Sequence, residues 1–247
     1  MAEDETEVLS RPYPKPDETV SFGPLAENIA DIRYGGDKAA SRPLVLVLHG
    51  GFWRPRYDRL HLGPMTTGIA AAGWTVANTE YRRVPQHPNL TIDDVTLALR
   101  TLPAQVTKHD GRVIVVGHSA GGHLALWAAS RRPTPELTGA LALAPAADLQ
   151  MASDMGLGDG AALAFLGEPP SARTDLDPKR MPSPAIAATV LHGDQDDTVP
   201  IAIGESYAAA HPRVRFVKLP GSGHFGVIDP LSKVWPTVMG ELEKLAR

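Results

Sequence analysis

The chain has 247 residues, 43% hydrophobic and 21% charged, with a formal net charge of −4 at pH 7. That composition suits one α/β domain or two small ones, and it lacks the basic footprint of a nucleic-acid-binding protein. The absence of cysteine excludes disulfides, thiolate metal sites and a cysteine nucleophile. No stretch reaches the roughly 18 to 20 apolar residues of a membrane span, and the acidic start, Met1-Ala2-Glu3-Asp4-Glu5, has no apolar core of the secretory-signal type. The expected setting is the cytoplasm, with no membrane or nucleic-acid partner.

Residues 1–18, rich in Glu and Pro, read as a mobile or surface-tracking arm. Residues 19–22 and 29–34 suit short antiparallel edge strands. Leu44-Val45-Leu46-Val47-Leu48 is an unbroken apolar run, the pattern of a strand buried on both faces of a parallel sheet. The same pattern returns at 75–78, 112–116, 140–143, 189–191 and 214–217. Helical stretches fall between these runs near 59–72, 91–102, 119–131, 201–210 and 230–245. In the second of them Ile92, Val95, Leu99 and Leu102 share one face. Thr91 with Asp94 suggests a capping-box start there, and Pro103 a stop or kink. Such alternation implies βαβ crossovers and a doubly wound, mostly parallel sheet over residues 19–247. From about 145 to 184 it lapses into Gly-, Pro- and Asp-rich sequence around an apolar island at 161–166. A stretch of this length suggests a cap or lid, or else a surface insertion with no role in binding.

The most informative motif is Gly117-His118-Ser119-Ala120-Gly121, placed between a strand and a helix. A nucleophile elbow needs a serine there, on a turn so sharp that side chains at the flanking positions would collide. A serine nucleophile needs a base, an acid to orient that base, and preorganised donors for an oxyanion. The loop after 189–191 carries His192-Gly193-Asp194-Gln195-Asp196-Asp197-Thr198-Val199-Pro200, and the loop after 214–219 carries Gly221-Ser222-Gly223-His224-Phe225. Serine, acid and histidine thus follow one another in the required order, with three carboxylates open as the acid. Directly after the first buried strand stands His49-Gly50-Gly51-Phe52-Trp53, a glycine-rich turn that lets backbone N–H groups point at a developing alkoxide.

Together these motifs make the sequence resemble an α/β-hydrolase from about residue 19 onward. The resemblance selects Asp196, since His192-Gly193, Asp196 and Val199-Pro200 fit the family's H-G-x-x-D-x-x-V-P loop. It makes Ser119 the nucleophile, His224 the base, and the N–H groups of Gly51 or Phe52, with that of Ala120, the oxyanion donors. The H-G-G-x-W loop with G-H-S-A-G-G resembles the kynurenine formamidases and related short esterases and exopeptidase-like hydrolases. It implies hydrolysis of a small ester or amide without metal or cofactor, first an aryl formamide such as N-formylkynurenine. A small-ester carboxylesterase and a peptidase-like amidase follow, and outside the class stands a ligand-binding receptor on the same fold.

Phe52 and Trp53 place aromatic bulk at the oxyanion loop, either around the substrate or, for Trp53, packed beneath the loop as core. Arg54, Arg56 and Arg59 form a basic run that is either solvated or, through Arg54 or Arg56, aimed at a substrate carboxylate. His118 and His123 are five apart and share no helical face, so no zinc site is expected; Gly156-Leu157-Gly158-Asp159-Gly160 follows no strand and is no dinucleotide loop. The oligomeric state is left open. The Ala- and Leu-rich helix after Ser119 is a candidate homodimer face that core packing explains as well.

Overall fold

The computed structural model describes residues 5–247. A 3-10 turn at Glu5–Leu9 precedes β1 (Glu18–Ser21), β2 (Ile29–Arg33), β3 (Leu44–Leu48), α1 (Gly63–Ala71), β4 (Val76–Thr79), α2 (Pro88–Gln105), β5 (Val113–His118) and α3 (Ala120–Arg131). Then come β6 (Leu137–Leu143), α4 (Leu149–Asp154), α5 (Leu157–Leu166), β7 (Ala187–Gly193), α6 (Ile201–Ala210), β8 (Arg215–Leu219) and α7 (Trp235–Leu245). The strands form one sheet in the order β1-β2-β4-β3-β5-β6-β7-β8. The β1–β2 and β2–β4 pairs are antiparallel, and every other pair is parallel. This is the doubly wound, mostly parallel sheet that the alternation of elements implies.

The unbroken apolar runs have a direct cause. Leu44, Leu46 and Leu48 face a core shared with Val95, Leu99 and Leu102 of α2 and Leu124 of α3. Val45 and Val47 face the opposite core with Met65 and Ile69 of α1 and Val238 and Leu242 of α7. With both faces of β3 covered, no position is left for a polar residue. At the edge, β8 instead carries the exposed Arg215 and Lys218, which discourages pairing with another sheet.

Several local expectations are corrected. Helix α2 starts at Pro88, a residue suited to the first turn, and not at a Thr91 capping box. The Thr91 hydroxyl instead donates to Arg82 O at 2.6 Å, and Asp94 accepts from the Arg82 guanidinium at 2.7 Å. The helix runs two residues past Pro103 to Gln105, with the proline held in its last turn. The stretch 59–72 divides into a 3-10 turn, Arg59–Leu62, and α1, which carries a proline in its first turn. The last helix begins at Trp235 and not at 230. Helix α3 offers no dimer face: it packs against β5 and β6, and Ala120–Ala129 are all buried. Among the described residues, no helix is long and apolar enough to cross a membrane.

The stretch 145–184 contains α4, α5 and two 3-10 turns, Pro170–Ala172 and Pro178–Arg180. Within α5 the glycine-rich start is left-handed at Gly158, Asp159 and Gly160, and the right-handed part coincides with the apolar island at 161–166. Of the arm over 1–18, residues 1–4 lie outside the described residues and the rest is docked rather than loose: Val8 is fully buried beside Leu62, Met65 and Val227.

Candidate active site

Strand β5 pairs with β3 on one side and β6 on the other, and its last residues, Gly117 and His118, remain in the ladder against Ala142 and Leu143. Ser119 therefore leaves the sheet abruptly, with φ 56° and ψ −117°, a conformation that costs a non-glycine residue on the order of 1–3 kcal/mol. Its N–H donates to Leu143 O at 2.9 Å, and its carbonyl accepts from His123 N at 3.1 Å and Ala146 N at 3.3 Å. The glycines are required by close approach. A Cβ on Gly117 would lie 2.0 Å from Gly121 O, and one on Gly121 would lie 2.0 Å from Leu48 O.

Asp196 and His224 meet from the loops after β7 and β8. His224 Nδ1 donates to Asp196 Oδ2 at 2.8 Å, and both residues are buried. The other oxygen, Asp196 Oδ1, accepts from Thr198 N at 3.0 Å and Val199 N at 2.7 Å. Burial on its own would raise the carboxyl pKa. Hydrogen bonds from His192, His224 and the Val199 amide outweigh it and hold the group well below the usual carboxylate range. Asp194 is used differently: it accepts from Gly221 N at 2.7 Å, outside the pair.

Ser119, His118, His224, Gly51 and Phe52 line one cavity of about 240 Å³, together with Leu9, Tyr57, His61, Thr198 and Phe225. No hydrogen bond joins the Ser119 and His224 side chains in this structure, as is common before substrate tightens such a pair. His118 supports the His224 loop, its Nε2–H donating to the His224 carbonyl at 3.0 Å. Burial and the proximity of His224 keep that imidazole neutral. Burial and the neighbouring His49 push His61 down to about 4, so it too is neutral at pH 7.

The glycine-rich loop passes directly over Ser119. A Cβ on Gly50 would sit 2.9 Å from Ser119 Cβ. Gly51 has φ 112°, and Phe52 and Trp53 have φ 53° and 54° inside a turn closed by Arg54 N to Gly51 O at 3.0 Å. Two consecutive non-glycine residues in the left-handed region need support from outside the loop. Trp53 supplies it: the ring is buried, stacked on Phe165 of α5 at 4.8 Å and edge-on to His123 at 5.2 Å. Trp53 therefore packs beneath the loop and does not line the cavity, whereas Phe52 does. Ala120 opens α3, so its N–H is among the first four, which have no partner inside the helix.

Glu80, at the end of β4, organises the same loop. Its carboxylate accepts from His49 Nε2 at 3.0 Å, Tyr81 N at 2.9 Å and Arg59 N at 3.2 Å, and it contacts Arg83. Burial opposes its ionisation, but the bonds from His49, the Arg83 charge and the Tyr81 amide bring its pKa to about 2. The Tyr81 ring stacks on His49 at 4.3 Å, and its hydroxyl donates to His49 O at 2.6 Å. Sequence reasoning missed both residues. The available signal was their position just past the carboxyl end of a buried strand, where such sheets build their sites.

The arginine run is absorbed elsewhere. Arg54 donates to Gly158 O, Arg59 pairs with Asp31 at 2.8 Å, and Arg56 lies over the Tyr57 ring at 4.8 Å. None of the three lines the cavity.

The chain is 26% identical over 220 residues to esterase LipC of Mycobacterium tuberculosis (strain H37Rv), which covers 76% of this chain and 54% of that protein. It thus spans about half the length of this curated relative. Among solved structures, esterase B of Lactobacillus rhamnosis aligns with a TM-score of 0.76 at 19% identity, covering 98% of this chain and 90% of that one. A truncated carbohydrate esterase from gut microbiota aligns with a TM-score of 0.76 at 14% identity, over 94% of this chain and 97% of the other. The family model BD-FAE matches residues 30–154, just over half of the chain, from β2 through the Ser119 turn to α4. The chain belongs to the BD-FAE family, and it shares the α/β-hydrolase fold of the solved structures it aligns with.

Proposed function

We propose that the protein is a serine esterase that cleaves small acyl esters through an acyl-Ser119 intermediate. One observation carries the reading: the strained Ser119 and the buried Asp196–His224 pair converge on one cavity beneath a left-handed glycine-rich loop. His224 Nε2 takes the Ser119 proton as Oγ attacks the ester carbonyl, while Asp196 holds Nδ1–H and stabilises the imidazolium. The N–H groups of Ala120 and of Gly51 or Phe52 receive the oxyanion, each such donor typically contributing ~3 to 4 kcal/mol. His224 then protonates the departing alcohol, and water attacks the acyl-enzyme by the same route in reverse.

The cavity, at about 240 Å³, is below the roughly 300–1,000 Å³ that holds drug-sized ligands, which favours a short acyl group. The similarity to esterases moves an ester ahead of the aryl formamide. An aryl formamide is the second reading, favoured by the aromatic walls Phe52, Tyr57 and Phe225. The test is kcat/KM on p-nitrophenyl acetate beside N-formylkynurenine, with Ser119→Ala as blank and fluorophosphonate labelling of Ser119. Turnover of the acetate ester with complete labelling is expected. Dominance by formylkynurenine would select the second reading, and a folded protein that neither labels nor turns over would be a binding protein.

A further inference from the structure

The 3-10 turn at Glu5–Leu9 lies against the loop that carries His224. The Glu5 carboxylate accepts from three backbone amides of that loop: Gly223 N at 2.8 Å, Phe225 N at 3.2 Å and Gly226 N at 2.9 Å. Ser222 Oγ lies 3.4 Å from the same carboxylate. Backbone N–H groups gathered around one anion in this way fix a loop's course firmly, because charge-assisted bonds are the strong ones. The carboxylate packs closely on the loop. A Cβ at Gly223 would stand 2.7 Å, and one at Gly226 2.6 Å, from a Glu5 carboxylate oxygen.

Beyond the Glu5 contact the segment is held at two further points. Val8 is fully buried against the core on the α1 side of the sheet, and Arg11 grips the Asp229 carboxylate with both terminal nitrogens. Between them Leu9, 39% exposed, forms part of the wall of the cavity that holds Ser119 and His224. Glu5 is therefore linked to the base through its own backbone neighbours, and Leu9 reaches the space a substrate would fill.

We propose that this N-terminal turn is a working part of the site: Glu5 is a positioning residue for the His224 loop, and Leu9 limits the size of the substrate. The inference rests on the esterase reading above, and it goes beyond it in assigning roles to residues outside the Ser119, Asp196 and His224 set. Without Glu5, three amides lose their acceptor and the loop samples positions in which His224 is misaligned with Ser119. The loss then falls on the chemical step rather than on binding. Without the Leu9 side chain, the cavity opens toward solvent and admits longer groups.

The test uses the full chain and four variants, Glu5→Ala, Glu5→Gln, Leu9→Ala and Leu9→Trp. Amide hydrogen exchange at Gly223, Phe225 and Gly226 should quicken at least tenfold in Glu5→Ala, and less in Glu5→Gln, which keeps one acceptor oxygen. On p-nitrophenyl acetate, Glu5→Ala should lose about tenfold in kcat with KM within twofold. For substrate size, kcat/KM is measured over p-nitrophenyl acetate, butyrate and octanoate and over methyl and naphthyl acetate. The long-to-short ratio in one of these series should rise about tenfold in Leu9→Ala and fall in Leu9→Trp. Unchanged exchange at the three amides overturns the role of Glu5, and ratios within twofold of the parent in both Leu9 variants overturn that of Leu9. If the parent chain hydrolyses none of these esters, the esterase reading fails and Leu9's role falls with it. The exchange result, which needs no turnover, then decides for or against Glu5.

Discussion

Replacing Asp196 by Asn tests the proposed site most sharply, because the structure dictates how the amide must sit. Asp196 Oδ1 accepts from two backbone donors, Thr198 N at 3.0 Å and Val199 N at 2.7 Å, while Oδ2 faces His224 Nδ1 at 2.8 Å. The asparagine oxygen is therefore held at the Oδ1 position. Turning the amide over would set its NH₂ against two N–H groups and forfeit two bonds, at about 1–3 kcal/mol each. The NH₂ is left facing His224 Nδ1, and the imidazole answers by moving its proton to Nε2, the atom that must be bare to take a proton from Ser119. A base in the wrong tautomer typically costs ~10⁴-fold in kcat, or about 5 kcal/mol of barrier. The assay is kcat on p-nitrophenyl acetate above the Ser119→Ala background, with fluorophosphonate labelling as a second readout. Asp194→Asn is the control. That carboxylate binds Gly221 N and Gln195 away from His224, and the change should cost less than about tenfold. If Asp196→Asn keeps activity within tenfold of the parent while Asp194→Asn does not, the orienting acid has been misassigned.

Three further outcomes follow from the same geometry. Ser119→Gly relieves the strain at φ 56° and should melt about 2–4 °C above Ser119→Ala, both being inactive; a lower melting temperature for the glycine variant would show that the elbow is unstrained. Gly121→Ala drives a Cβ to 2.0 Å from Leu48 O and should cost at least about 3 kcal/mol in urea unfolding. Parental stability there would mean that the helix and β3 can part without penalty. The last outcome concerns acid. His61 and His123 are held neutral by burial, with pKa values of about 4 against 6.5 in the unfolded chain, so between these values the unfolded state binds more protons. Their contribution is complete above pH 6.5 and drains as pH falls toward 4, by about 1 kcal/mol per pH unit for each residue. The contributions of Asp196 and Glu80, whose pKa values are depressed, are lost only below about 4.5. Urea unfolding at pH 7, 6 and 5 should therefore show falling stability, with a shallower slope in His123→Gln. An identical slope in that variant would contradict the assignment.

Much of the fold was legible because it rests on patterns only a few residues long. Leu44–Leu48 could be nothing but a strand covered on both faces, and Gly117 and Gly121 announced a turn too tight for side chains. Element ends were harder to read. His118 and His192-Gly193 belong to strands because parallel neighbours carry the ladder past the apolar run, which no local pattern records. Thr91 and Asp94 looked like a cap and are instead tied to Arg82, since a side chain takes whichever partner packing brings near. Trp53 could be read as rim or as core, and the choice depended on Phe165, 112 positions further along the chain. Glu5 gave no signal, and Glu80 none beyond its place just past a buried strand. A carboxylate's work is set by the amides and rings around it, here from loops 31 and about 220 residues away.

By itself the sequence determined the sheet, the elbow and the order serine, acid, histidine, because backbone sterics and hydrophobic periodicity are local and act wherever the residues stand. The tertiary structure alone decided which aromatics face the cavity and what steadies the loops around Ser119, and it brings Asp196, the carboxylate that the family resemblance selects, to His224. Those choices turn on distances of a few ångströms between segments remote in the chain, and such distances exist only once the two cores have closed on the sheet.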